Sequence, residues 1–176
     1  ASGTAVSGNI QTTVAQNKTN ALVGDSTQIK AYDSVGIVAD HTSHIYLAAP
    51  TVAVSGGGAG VGATIVTAVL RNEINAGAGN NTDITAYAMR MGSEAGILTS
   101  NRQQRRKGIV ISALGAEDIL MLGIGASGAS TPAVSGVIDT LVVMNKVNAK
   151  VGNNARMRSG TRPSDDKNGD GSEDGD

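Results

Sequence analysis

Short runs of β-branched and aliphatic residues alternate with clusters of Gly, Asn, Asp and Ser along most of the chain. Ten of these runs predict strands, at residues 10–15, 27–32, 35–39, 44–48, 51–54, 64–70, 83–89, 108–114, 118–124 and 136–144. The strands start about every 8 to 12 residues, a spacing typical of an all-β protein with many short strands. A helix is the alternative at residues 116–122, where Ala-Glu-Asp could begin one.

Three stretches of the chain repeat one another. Residues 5–14 match residues 133–142 at seven of ten positions without a gap. Each copy continues into an asparagine-rich box, at residues 17–25 and 145–153, and a middle copy at residues 72–80 keeps both asparagines, the alanine and the final glycine. This middle copy is interpreted as opening at residues 53–56 and resuming at Thr64, so that the glycine-rich residues 57–63 form an insertion.

The spacing of the boxes predicts a stacked architecture. They begin at Asn17, Asn72 and Asn145, so the second interval (145 − 72 = 73) exceeds the first (72 − 17 = 55) by 18 residues. The basic residues 102–107 lie in the longer interval and are a candidate inserted loop. Because one solenoid coil takes roughly 20 to 25 residues, each copy is expected to hold two or three coils, and the chain about six to eight. Strands would pair in parallel with those above and below, with Val, Ile and Ala in interior ladders and Asn or Gly at the corners.

The amino-acid composition is consistent with a narrow interior of small side chains, and it disfavours nucleic acid and membranes as partners. The chain of 176 residues has 24 Gly and three Tyr, and it lacks Cys, Phe and Trp. Small and β-branched side chains suit closely stacked strands. A net charge of −1 disfavours nucleic acid and acidic membranes as partners. The apolar runs are far shorter than the roughly 18 residues of a membrane span, so membrane insertion by this segment is not expected.

The amino-acid composition also excludes cysteine chemistry and indicates two regions in the chain. The absence of cysteine excludes disulfides, thiolate metal sites and thiol nucleophiles. After Arg158 the composition changes to Ser, Gly and Pro and then to Asp, Glu, Asn and Gly. We therefore expect a repeat domain at residues 1–158 and an acidic tail or linker at residues 159–176.

The glycine-rich residues 56–63, the alternating run 64–69 and the asparagine box after them resemble the repeat regions of large Gram-negative exoproteins. These are the filamentous hemagglutinin-like, leukotoxin-like and autotransporter adhesins. In them an alternating strand, an Asn-rich turn and a small-residue box ending in Gly recur, as they do here around residues 5–25, 53–80 and 133–153. The resemblance implies a right-handed parallel β-helix, secretion across the outer membrane to the cell surface, and a role in attachment.

The acidic tail contains a candidate calcium loop. Asp166, Asn168, Asp170, Ser172 and Asp174 are spaced by two residues, with Gly171 at the sixth position, as in the first part of an oxygen-rich calcium loop. The usual glutamate at position 12 would lie past Asp176. A solvated acidic tail is the alternative, and no other cofactor is expected.

Three further patterns each have a functional and a structural interpretation. Arg102, Arg105, Arg106 and Lys107 could bind an anionic glycan or surface, or form a solvated loop.

Asp40, His41 and His44 could bind a metal if a turn brings them together, although surface polar residues in a turn are the favoured interpretation. Residues 58–63 fit the dinucleotide pattern G-x-G-x-x-A, with Asp83 twenty residues further on, but the strand-like run that follows favours a tight turn.

These observations favour a non-enzymatic function. The sequence offers neither an activated nucleophile with a base nor clustered acidic and basic residues on its strands, as polysaccharide-active β-helix enzymes require. The expected function is an extracellular adhesin-type segment that binds glycans or proteins of host or neighbouring cells. A self-assembling filament subunit that stacks end to end is the alternative, and a polysaccharide-active enzyme is the second alternative.

Overall fold

A computed structural model describes residues 3–89, 96–98 and 105–160, and every regular element in them is a strand. The strands are β1 (Ala5–Val23), β2 (Gln28–Ala31), β3 (Val35–Ser55), β4 (Gly60–Ala78), β5 (Asp83–Ala86), β6 (Ile109–Ala129), β7 (Ala133–Val151) and β8 (Arg156–Ser159). The helix alternative at residues 116–122 is wrong, because this segment lies inside β6. Its alternating burial is the period-2 pattern of a strand.

The first two repeats each supply one strand to each of three sheets, and the described part of the third repeat supplies a strand to two of them. The sheet orders are β1-β4-β7, β2-β5-β8 and β3-β6, and strands that are neighbours in a sheet come from successive repeats. The predicted all-β class with parallel pairing is confirmed, since β2 pairs parallel with β5 and β5 with β8. The predicted number of six to eight coils is not confirmed, because the sheets hold three, three and two strands.

The residue-number intervals between paired strands equal the intervals between the sequence repeats. Gln28 lies opposite Asp83, and Asp83 lies opposite Arg156, which reproduces the intervals of 55 and 73 residues between the asparagine boxes. The gap assigned to the middle copy is wrong. The Ala5 amide donates to the Ala59 carbonyl over 3.0 Å, which places Ala5 opposite Gly60, and residues 53–55 instead end β3.

The glycines at the start of β4 explain why the sequence comparison misplaced this copy. A Cβ at Gly60 would come within 3.0 Å of the Gly128 carbonyl oxygen, so a close backbone approach replaces the alanine found at the matching position of β1. The dinucleotide interpretation is also wrong, since Gly60 and Gly62 lie in a strand, with no helix after them.

The predicted inserted loop is confirmed in position. Residues 87–108 connect β5 to β6, whereas residues 32–34 connect the equivalent strands β2 and β3. In its described part, Ile97 and Arg106 form an isolated antiparallel bridge. The basic residues 102–107 therefore belong to the connection that lengthens the second repeat.

The strands contribute to two compact units, each of which has its own buried residues. Unit 1 comprises residues 1–19, 40–74 and 114–147, and unit 2 comprises residues 20–39, 75–113 and 148–176. In unit 1 the core consists of Leu47, Ala49, Val66, Ala68 and Leu70, with Ala15, Ile45, Ile119 and Met121 packed against it. In unit 2 the buried apolar residues are Ile37, Ala39, Ala76, Ala78, Ile84 and Ala86. The expected aliphatic interior is thus confirmed for the described residues.

Candidate functional site

Inward-facing asparagines form a ladder in unit 1. Asn17 donates from Nδ2 to Oδ1 of Asn72 over 3.0 Å, and Asn72 donates to Oδ1 of Asn145 over 3.2 Å. Glu117 of β6 closes the ladder, because its two carboxylate oxygens accept from Asn72 at 2.9 Å and Asn145 at 2.8 Å. A buried amide needs such partners, so this ladder is structural. The expected corner position of these asparagines is wrong, since all three lie inside long strands.

The second asparagine of each box faces outward. In unit 2, Asn75 donates to Asn20 over 2.9 Å and Asn148 donates to Asn75 over 2.8 Å. A spacing of three residues in a strand places two side chains on opposite faces, because the side-chain period is two. The N-x-x-N motif therefore supplies one inward and one outward ladder.

The glycine that ends each box lies at a corner, as predicted. After Gly24 and Gly79 the chain turns, and the Asn80 amide donates to Oδ1 of Asp25 over 2.7 Å. The next residues, Ser26 and Asn81, have φ of 56° and 55°, in the left-handed region. A Cβ at Gly79 would lie 2.8 Å from both the Asp25 amide nitrogen and the Gly24 carbonyl carbon, so only glycine fits between these stacked turns.

An exposed polar cluster lies on the outward face of β3 and β6 in unit 1. His44 Nδ1 is 3.4 Å from Oδ2 of Asp118, and the Tyr46 hydroxyl donates to the same oxygen over 3.3 Å. All three side chains are more than half exposed. The cluster thus joins a phenol, an imidazole and a carboxylate on adjacent strands, where they can donate and accept hydrogen bonds.

Aliphatic side chains extend this cluster along β6. Leu120, Leu122 and Ile124 alternate on the outward face and are about half exposed. The resulting surface, here called the Tyr46 face, consists of Tyr46, His44, Asp118 and these three residues. Binding sites commonly combine an aromatic ring, aliphatic surface and a few oriented polar groups, as this surface does.

The Tyr46 face is not apparent in the sequence. His44 and Asp118 are 74 residues apart, and the repeat comparison aligned the strands of the sheet β1-β4-β7 but not β3 with β6. The Val35 amide donates to the Gly108 carbonyl over 2.9 Å, which places Val35 opposite Ile109, an interval of 109 − 35 = 74 residues instead of 73. In this register three residue pairs of β3 and β6 are identical, namely Ile37 with Ile111, Ala39 with Ala113 and Ile45 with Ile119, and they are too scattered to form a visible repeat.

The turn predicted for Asp40, His41 and His44 is wrong, because all three lie within β3. His41 and His44 face opposite sides of the strand, and His41 Nδ1 lies 3.5 Å from the Thr19 hydroxyl. The buried Nε2 of His41 has no hydrogen-bond partner among the described residues. In the described ranges, no three His, Asp or Glu side chains come together as a metal site would require.

The predicted basic site is described in part. Arg105, Arg106 and Lys107 are exposed, and Arg105 donates from Nη1 to the Gly96 carbonyl over 3.2 Å. Arg102 lies outside the described residues, and binding of an anionic glycan or surface by this cluster stays a prediction.

The predicted calcium loop, formed by Asp166, Asn168, Asp170, Ser172 and Asp174, lies wholly outside the described residues. Calcium binding by the acidic tail therefore stays a prediction too.

Comparison with known proteins gives no significant match to a protein-family model, to a curated protein or to a solved structure. A search of the described residues for a helix long and apolar enough to cross a membrane finds none.

Proposed function

We propose that this chain is a right-handed parallel β-helix segment of an extracellular, non-enzymatic surface protein that binds through a broad side face. The observation that carries the proposal is the register of the repeats, which brings equivalent outward side chains together at intervals of 55 and 73 residues. Parallel stacks of this kind hold extended surfaces of regularly spaced side chains. The resemblance of the repeats to filamentous hemagglutinin-like adhesins points to the same function.

In this proposal each repeat makes one coil. The supporting observation is that each repeat supplies one strand to each sheet, apart from the third repeat, whose described part supplies none to the sheet β3-β6. A coil built in this way is much longer than the roughly 20 to 25 residues assumed from the sequence. The chain would then hold between two and three coils rather than six to eight.

The Tyr46 face is the proposed contact surface for glycans or proteins on host or neighbouring cells. The Tyr46 ring supplies apolar area at low entropic cost, and the Asp118 carboxylate and His44 imidazole can exchange hydrogen bonds with hydroxyl or amide groups of a partner. The neighbouring leucines and Ile124 add area that is available for desolvation on binding.

Binding of the purified chain to intact cells tests this proposal. Replacing Tyr46→Ala and Asp118→Ala together is expected to weaken binding about tenfold or more, since the anchoring ring and its hydrogen-bonding partner are both lost. Tyr32→Ala is the matched control, because Tyr32 is also an exposed tyrosine but lies in unit 2. Equal binding by the double variant and the control, or failure of the unchanged chain to bind cells, would contradict the proposal.

A filament subunit is a second candidate, favoured by the outer edge of β7. This strand ends the sheet β1-β4-β7, and an unpaired edge can accept a further strand. Residues 5–14 of β1 match β7 at seven of ten positions, so β1 of another copy could continue the ladder. Electron microscopy separates the two functions: concentration-dependent fibres support the filament, whereas a dispersed protein that binds cells supports the adhesin.

A further inference from the structure

The outward face of the sheet β1-β4-β7 in unit 1 carries the same four residues in all three strands. Each strand has the pattern Val-x-x-x-Ile-x-Thr-x-Val at outward positions. The members are Val6, Ile10, Thr12 and Val14 in β1, Val61, Ile65, Thr67 and Val69 in β4, and Val134, Ile138, Thr140 and Val142 in β7. We call these twelve residues the aliphatic face.

The interior does not explain this repetition. Inward positions between the same residues differ among the strands, as with Asn9, Thr64 and Val137 at one level of the pattern. The neighbouring inward set is Gln11, Val66 and Asp139. A sheet with one solvated face normally repeats its apolar residues inward and varies outward. Here the outward side is the more uniform of the two.

The aliphatic face is most exposed on its outer strands β1 and β7, whereas Ile65, Thr67 and Val69 of the central strand β4 are partly buried. Ile10 is 75% exposed and Ile138 is 60% exposed. Gly8 and Gly136 lie between the valine and isoleucine columns, and a Cβ at Gly136 would meet nothing within 4 Å. Monomeric proteins seldom leave a contiguous apolar patch of more than a few hundred Å² in water, and larger ones mark interaction sites.

Charged residues are confined to one margin of this face. The twelve residues carry no charge, and the first charged outward side chains beyond them are Arg71 and then Lys18, Glu73 and Lys146. Lys18 and Glu73 form an ion pair at 3.6 Å. An uncharged centre with polar residues at its margin is the arrangement of a protein–protein interface.

We infer that the aliphatic face is the interface with a second copy of this chain, packed sheet against sheet about a two-fold axis. Three strands about 4.8 Å apart and a length of eight steps of about 3.3 Å give roughly 400 Å² in projection per copy. Side-chain relief raises the accessible area, so two copies together bury about 1,000 Å², the size at which specific interfaces begin. Two copies of the same face can pack against each other because a two-fold interface is self-complementary.

The small area of the proposed interface predicts a weak dimer. Sedimentation equilibrium measures its dissociation constant. The unchanged chain is expected to dimerise with a Kd in the range of about 1 to 100 µM, as suits an interface at the lower size limit. Ile65→Lys places a charge at the centre of the face and is expected to weaken dimerisation at least tenfold. Ile10→Lys, at a more exposed position of the edge strand β1, is expected to do the same with less effect on folding.

Val54→Lys is the matched control, since Val54 is an exposed outward valine of β3, in a different sheet. It is expected to leave the dimer unchanged, and circular dichroism verifies that each variant keeps its strands. A chain that stays monomeric at about 1 mM would overturn the inference, as would Ile10→Lys and Ile65→Lys dimers as tight as the unchanged one. The cell-binding assay on Ile10→Lys separates this inference from the proposed function, because the Tyr46 face is unaltered in that variant.

Discussion

Strands β4 and β7 share the outward Val, Ile and Thr pattern and both asparagines in the same sheet, yet their environments differ. β4 lies between β1 and β7, and its inward residue Leu70 is fully buried. Among the described residues β7 has a partner on one side only, and its inward residue Leu141 remains 46% exposed. In a stacked repeat protein, each strand is stabilised mainly by its nearest neighbours, so position in the stack decides how much an identical residue contributes.

The largest expected effect on the free energy of unfolding comes from a pair of leucine substitutions, one in β4 and one in β7. Leu70→Ala removes a fully buried side chain and is expected to lower the free energy of unfolding by about 3 to 5 kcal/mol. Leu141→Ala in β7 is expected to cost about 1 kcal/mol, since water already reaches that side chain. Urea denaturation measures both values. Equal losses would show that β7 is as well packed as β4.

A pair of glycine substitutions compares two levels of the corner in unit 2. Gly79→Ala is expected to destabilise the chain by about 2 to 3 kcal/mol, because the new Cβ would press on the backbone of Gly24 and Asp25. At Gly24 the nearest atom to a Cβ is the Thr27 hydroxyl at 3.8 Å, an ordinary contact. Thermal unfolding of Gly24→Ala should therefore show little change. If the two variants melt alike, the corners are not stacked as described.

Substitutions in the asparagine ladders are expected to change the free energy of unfolding least. Asn72→Ala is expected to cost about 2 kcal/mol, because Glu117 and Asn17 lose a buried partner. Asn75→Ala removes the equivalent residue of the outward ladder, where water can replace the amide, and should cost about 0.5 kcal/mol. Chemical denaturation of both variants provides the test. A larger loss for Asn75 would mean that the outward ladder is the one that holds the strands together.

Much of the fold was predictable because repetition in a sequence becomes register in a parallel stack. The intervals between Asn17, Asn72 and Asn145 reappear as the pairing of the strands, and the longer interval correctly located the inserted connection. Strand boundaries were less predictable. Asp40 and His44 suggested a turn by their polarity, but β3 continues through them because pairing with β6 satisfies the backbone.

The candidate sites were predictable only where they are local in sequence. The cluster of Arg105, Arg106 and Lys107 is visible as a basic run, but the convergence of Tyr46 and His44 on Asp118 depends on a pairing between β3 and β6. The aliphatic face likewise required knowledge of which side of each strand is covered. An alternating strand with apolar residues on both sides does not reveal which set faces inward.

The sequence by itself determined the strand-rich class, the three repeats and the register of the sheets β1-β4-β7 and β2-β5-β8, because equivalent side chains that recur at fixed intervals lie beside one another in neighbouring strands. Tertiary structure decided which face of each strand is inside, which asparagine is buried and which strand is left at the edge. The physical reason is that burial depends on what covers a strand, and for β4 and β7 that covering differs although their patterns agree.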